Sequence, residues 1–260
     1  MVFRLTTNHF ENIENDDIKS KLKELYILCL DEALKGNKVA FYYEDLKNNV
    51  LSFNENICFY AASTIKILVC LLICKLNDEG KINLDDRLLV TSDDIFQGSG
   101  VIKNQKNDTE YTINKLIELC LVESDNTAYI KLVKYVGKDK LIEFGKNLGA
   151  LHTLEGKDSY GVINCLDMII YWKELINYIN NFENGKKIKE FLLNPSVKYI
   201  NNDNYIRKYG EYDIAYHETG YVDSNKPYYL MLLTQLNKAN YKEEFINKVA
   251  KILDDINNIN

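Results

Sequence analysis

The chain has 260 residues, 46% hydrophobic and 27% charged, with a formal net charge of −6. That length suits one large domain or two interlocked lobes around an ample core. The acidic balance, with no dominant basic patch, argues against nucleic-acid binding. The longest apolar run, residues 67–74, is far too short to span a bilayer.

Residues 1–10 contain no apolar stretch of the kind a signal peptide needs, so a cytoplasmic protein is expected. The six cysteines, Cys29, Cys58, Cys70, Cys74, Cys120 and Cys165, lie mostly within apolar segments. They read as reduced core thiols, which fits a reducing compartment. No C-x-x-C occurs and no partner set for zinc accompanies them, so neither metal nor cofactor is expected.

Residues 17–35 carry an apolar stripe at helical spacing: Ile18, Leu22, Leu25, Leu28 and Cys29. Gly36-Asn37 ends it. Residues 39–43 and 50–53 are strand-like and joined by 46–49 as a hairpin. From Ser63 a segment that is apolar all round predicts a buried central helix, ending near Gly80. Residues 81–107 read as loop. Thr112 caps a helix to about Val122, a second runs to Gly137, and a third spans 139–147. An irregular stretch, 151–164, precedes a helix over 165–179 with Met168, Ile169, Trp172 and Leu175 inward, then a short helix over 187–193 stopped before Pro195. Residues 213–222 and 228–235 predict a second hairpin, and 241–256 a terminal helix.

Hairpins at opposite ends of the chain predict one antiparallel sheet flanked by the terminal helices, with a helical block inserted between them. The expectation is a two-lobed α+β fold forming a single unit over 1–260. Its α/β lobe is drawn from about 1–62 and 200–260, and its helical lobe from about 63–199.

Three motifs stand in order along the chain: Ser63-Thr64-Ile65-Lys66, Ser124-Asp125-Asn126 and Glu218-Thr219-Gly220. The first two match S-x-x-K and S-D-N, and the third is K-T-G with glutamate for lysine. Residues three apart on a helix share a face, so the Lys66 amine can reach the Ser63 hydroxyl and act as its base if burial lowers its pKa. Ser124 can relay a proton to a leaving group, Asn126 can hydrogen-bond Lys66 or a substrate amide, and Asp125 can hold its loop through backbone bonds. Gly220 within a strand permits close approach of another backbone. Alone, each motif has a commoner meaning: Ser63 as a helix cap, Ser-Asp-Asn as a turn and cap. His217 reads as a half-buried strand histidine.

From about Lys38 to Gln235 the chain resembles the class A β-lactamase and penicillin-binding protein superfamily. Besides the motifs, Phe59-Tyr60-Ala61-Ala62, Gly98-Ser99-Gly100-Val101 and Tyr111-Thr112-Ile113 carry the likeness, with Ser124 and Glu218 lying 61 and 155 residues beyond Ser63. The resemblance implies that Ser63 is the acylated nucleophile, Lys66 its general base and Ser124 the proton relay. It implies that Asn126 contacts substrate and lysine, that Thr219 binds a substrate carboxylate, and that the N–H groups of Ser63 and Tyr221 form an oxyanion hole. The substrate would be a small molecule, a β-lactam or an acyl-peptide or ester, and the protein a monomer.

Two departures bear on activity. The family's E-x-x-L-N motif, whose glutamate activates the deacylating water, has no counterpart in 151–160, where Glu155 and Asp158 are the available carboxylates. Glu218 stands where the family places a cation. Two like charges about 4 Å apart at an effective dielectric of about 20 repel by about 4 kcal/mol. Glu218 is therefore expected to weaken binding of a carboxylated substrate unless it is protonated or paired with Arg207 or Lys226. The alternatives are a D-alanyl-D-alanine peptidase or an esterase for a non-anionic acyl substrate, or a non-catalytic ligand-binding member of the fold.

Overall fold

The computed structural model describes residues 2–5, 13–156 and 158–259. Most of the N-terminal stretch read above for a leader lies outside them. Among the described residues, no helix is long and apolar enough to cross a membrane.

One six-stranded sheet organises the chain. Its strands are β1 (Val2–Arg4), β2 (Lys38–Asp45), β3 (Val50–Phe53), and three further along, β8 (Tyr205–Tyr212), β9 (Ala215–Val222) and β10 (Tyr228–Gln235). Their order across the sheet is β1-β3-β2-β10-β9-β8. The two hairpins therefore share a sheet, β2 pairing antiparallel with β10 from Lys38↔Gln235 to Asp45↔Tyr228.

Strand side chains alternate between faces, and the two faces meet different helices. Phe41, Tyr43, Leu230, Leu232 and Tyr209 join a core with the terminal helices α1 (Asp16–Leu34) and α8 (Lys242–Ile259). Ala40, Ile206, Tyr221, Met231 and Leu233 join the larger core of the helical block. α1 begins where the sequence placed it, capped by Asn15, whose side chain accepts from the Asp17 and Ile18 amides at 3.0 and 3.1 Å.

The block comprises α2 (Lys66–Asp78), α3 (Ile113–Val122), α4 (Asn126–Val136), α5 (Lys138–Leu148), α6 (Cys165–Asn181) and α7 (Gly185–Leu193). α2 is central, touching α3, α4, α5 and α6, and it is buried all round from Lys66 to Cys74, as its uninterrupted apolar run requires. α6 lies on the sheet against β2, β9 and β10. All six cysteines are free, five of them buried.

Two short ladders were not anticipated. β4 (Phe59–Tyr60) pairs with β7 (Val162–Ile163), fastening the irregular 151–164 stretch to the segment before Ser63. β5 (Arg87–Val90), inside the region read as loop, pairs with β6 (Thr109–Thr112) just beyond it. The largest omission is β8. Its Tyr-Ile-Arg-Lys-Tyr-Gly-Glu-Tyr sequence lacks an apolar alternation because Arg207 and Lys208, both wholly buried, stand among its inward residues.

His217 on β9 ties these layers together. Its ring Nε2 donates to the Tyr60 carbonyl at 2.8 Å, and its Nδ1 accepts from the Thr234 amide at 3.1 Å. Those roles require the neutral ring, and burial holds its pKa down to about 4. An unfolded chain takes up this proton near pH 6.5, whereas the native state resists it until about 4. Stability should therefore be undiminished above about pH 6.5 and fall by roughly 3 kcal/mol as the pH drops toward 4. Urea unfolding across that window should show the loss in wild type and a shallower dependence in His217→Gln.

Candidate active site

Ser63 lies in a 3-10 turn, Ala62–Ile65, that leads directly into α2. It is nearly buried at 5% exposure and forms part of the wall of a cleft of about 530 Å³. The preceding residue, Ala62, has φ +47°, a left-handed conformation that a non-glycine residue adopts only when its surroundings enforce it. Ser124 is similar at φ +50°. It is locked by Asp125, which caps α4 by accepting from the Ala128 amide at 2.9 Å. The other carboxylate oxygen of Asp125 accepts from the Val101 and Ile102 amides at 2.7 and 2.8 Å. The buried aspartate thus holds two loops in register, the loop-fastening role read from the sequence.

Lys66 projects from the first turn of α2 and is wholly buried. Its amine donates to the Ser124 carbonyl at 2.5 Å, to Ser124 Oγ at 3.2 Å and to Asn126 Oδ1 at 2.7 Å. Burial lowers its pKa to about 8, against smaller opposing effects from Cys120 and Asp125. These bonds go to Ser124 and Asn126 rather than to Ser63. Asn126 also reaches the cleft wall and donates to the Gln97 carbonyl at 2.9 Å. Ser63, Lys66, Ser124 and Asn126 are thus brought together from the starts of two helices, α2 and α4.

A second lysine completes the group, and the sequence reading missed it. Lys208 on β8 is wholly buried, and its amine donates to Ser124 Oγ at 3.0 Å and to the Tyr209 carbonyl at 3.1 Å. Burial and the neighbouring Lys66 push its pKa well down. Two lysine amines therefore converge on one serine hydroxyl. β8 is the edge strand beside Ser63: a Cβ on Gly210 would come within 3.2 Å of the Ser63 amide nitrogen. A glycine there leaves the strand free to lie close to the turn. The signal was present as Lys208-Tyr209-Gly210, whose lysine and glycine keep the spacing of K-T-G.

The third motif read from the sequence is elsewhere. Glu218 sits on β9 opposite Tyr209, on the face toward the terminal helices. It is wholly buried. One oxygen accepts from the Tyr199 and Ile200 amides at 2.7 and 2.8 Å, and the other meets Arg207 at 3.2 Å. Burial raises its pKa, opposed by Arg207 and the two amides. The expected repulsion of a substrate by Glu218 therefore does not arise, because this carboxylate faces away from the cleft and has a cation beside it. Thr219 faces α6, where its Oγ1 accepts from the Trp172 indole at 2.9 Å. Gly220 makes room for the Tyr205 ring and the Ile206 carbonyl. Tyr221 is paired in register with Ile206 and Tyr229 inside the sheet, away from Ser63. None of Glu218, Thr219, Gly220 and Tyr221 is on the wall of the Ser63 cleft.

A profile of the β-lactamase enzyme family matches residues 17–256. The chain belongs to the β-lactamase enzyme family. Beta-lactamase BRO-1 of Moraxella catarrhalis is 26% identical over 90% of this chain and 83% of its own length. A β-lactamase from Sphaerobacter thermophilus superposes with a TM-score of 0.83 at 18% identity, covering 92% of this chain and 97% of that one. A point mutant of PBP-A, solved as an acyl-enzyme complex with penicillin G, gives 0.81 at 18% identity, covering 90% and 95%. The α+β fold expected from the element order is that of this family, and the protein is a β-lactamase-like serine hydrolase.

Of the two carboxylates considered for deacylation, Glu155 is exposed and bonded to His152 Nδ1 at 2.7 Å, while Asp158 reaches the cleft wall. Asp158 Oδ1 accepts from the Tyr160 and Gly161 amides at 2.8 and 2.7 Å, so it shapes the loop that it sits on.

The Arg207–Glu218 pair supports β8 from behind. Glu218→Ala leaves a buried guanidinium without its anion and should cost about 3–5 kcal/mol in urea unfolding. Glu218→Lys should be more destabilising still. A Glu218→Lys protein with wild-type stability would show that the pair does not hold the strand.

Proposed function

We propose that Ser63 is acylated by small-molecule amides or esters, β-lactams among them, through a Ser63–Lys66–Ser124 mechanism to which Lys208 contributes. The observation that carries the reading is the pair of buried amines on Ser124 Oγ, at 3.2 and 3.0 Å, beside a nucleophile on the cleft wall. The free amine of Lys66 accepts the Ser63 hydroxyl proton as Oγ bonds to the substrate carbonyl carbon. The oxyanion is met by the Ser63 amide and an amide on the open edge of β8, where Glu211 borders the cleft. As the carbon–nitrogen or carbon–oxygen bond breaks, the Ser124 hydroxyl gives its proton to the leaving atom and is reprotonated from Lys66. Lys208 holds that hydroxyl in position and favours its ionised form during the transfer. Water then hydrolyses the ester and restores Ser63.

Neither carboxylate on the cleft wall favours rapid hydrolysis. Asp158 is engaged with backbone amides, and the Glu211 side chain is turned to Tyr199 and to Lys242, the latter at 2.9 Å. A long-lived acyl-enzyme, as in a penicillin-binding protein or peptidase, is the outcome this supports. The cytoplasmic setting and monomeric state read from the sequence stay within the proposal, the first supported by six free thiols.

Intact-mass measurement after exposure to penicillin and to a neutral p-nitrophenyl ester should show one adduct per chain, absent in Ser63→Ala. Labelling that survives that substitution refutes the nucleophile. The acylation rate should rise with pH and level off above about 8, where Lys66 is the free amine. That rise should be missing in Lys66→Ala.

A further inference from the structure

Lys208 has no carboxylate partner, is wholly buried and is absent from the cleft wall. Its ammonium is spent on Ser124 Oγ, on the Tyr209 carbonyl and on the Tyr209 ring, whose centroid lies 4.0 Å away. Tyr209 is itself 5% exposed, and its hydroxyl lies near Ser124, Ser196 and Ser99. Ser99 is on the cleft wall, whereas neither Tyr209 nor Lys208 is. Among the described residues the wall holds Asp158 and Glu211 but no lysine or arginine. The nearby Lys103 and Lys138 donate to the carbonyls of Gly98 and Asp158. Tyr60, Phe96, Tyr160 and Tyr212 supply the rest of its character.

We propose that Tyr209 is a specificity-determining plug: its ring shields Lys208 from substrate and makes this enzyme indifferent to a carboxylate on the acyl donor. Neutral acyl donors with an apolar or aromatic group are then accepted as readily as their carboxylated counterparts. An anion entering the cleft meets hydroxyls and aromatic walls instead of an ammonium, and so loses the charge-assisted hydrogen bond that would repay its desolvation. Burial keeps the phenol neutral, so Tyr209 adds no charge of its own.

This inference rests on acylation of Ser63, and one pair of compounds tests both. Benzylpenicillin and its methyl ester share the reactive ring and differ in the carboxylate. Their acylation rates, followed by intact mass, should agree within about threefold in wild type, a difference too small for a charge-assisted hydrogen bond. Tyr209→Thr should open the lysine and shift the ratio toward benzylpenicillin by about 10- to 100-fold. Tyr209→Phe keeps the ring and should leave the ratio where it is. Thermal unfolding establishes that each variant is folded, and the wild-type ratio stands whether or not Tyr209→Thr folds. A wild-type preference for benzylpenicillin of about tenfold or more, or an unchanged ratio in folded Tyr209→Thr, overturns the plug. Absence of any adduct with either compound overturns the acylation reading and the plug with it.

Discussion

Two ammonium groups buried against one serine hydroxyl set the terms for the rest of this molecule. Withdrawing a cation from water costs several kcal/mol unless its donors are satisfied. Here Lys66 and Lys208 are satisfied almost entirely by neutral oxygens: the Ser124 carbonyl and hydroxyl, the Asn126 amide and the Tyr209 carbonyl. Neutral acceptors offset less of that cost than carboxylates would, so the pKa values of both lysines fall. A lysine that gives up its proton near neutral pH is a usable base, and the chemistry follows from the burial.

Keeping such a group assembled requires rigid supports on every side. Asp125 fastens the Ser124 turn to the 98–102 loop by accepting two backbone hydrogen bonds and caps α4 with a third. His217 fastens the approach to Ser63 onto β9 and β10. Arg207 and Glu218 anchor β8 from the far face of the sheet. The left-handed backbones of Ala62 and Ser124 persist because these supports leave no other conformation.

The alternation of side chains along β8 and β9 decides which residues are chemical and which are architectural. Lys208 and Gly210 face the helical block, and Tyr209 projects from the other side of the same edge strand with its ring centroid 4.0 Å from the lysine amine. On β9 the same alternation sends Glu218 to the terminal helices and Thr219 to Trp172. A glutamate that looked like an altered substrate contact is therefore half of a buried ion pair.

Local pattern determined a good deal. The Ser63–Lys66 spacing, the Asp125 cap, the apolar run of α2 and the stripes of α1 and α6 are short-range properties. Periodicity and capping chemistry expose them in the amino-acid order itself, and with them the fold class and the site's first half. Which strand borders the cleft was decided only by the tertiary structure. β8 buries Arg207 and Lys208, whose charges disguise it as loop, and their burial is tolerable only because partners from residues 124, 200, 202 and 218 converge on them in space. Pairing between strands is a long-range choice with no local signature, so the lysine that meets Ser124 could be told from the glutamate behind it only once the sheet was formed.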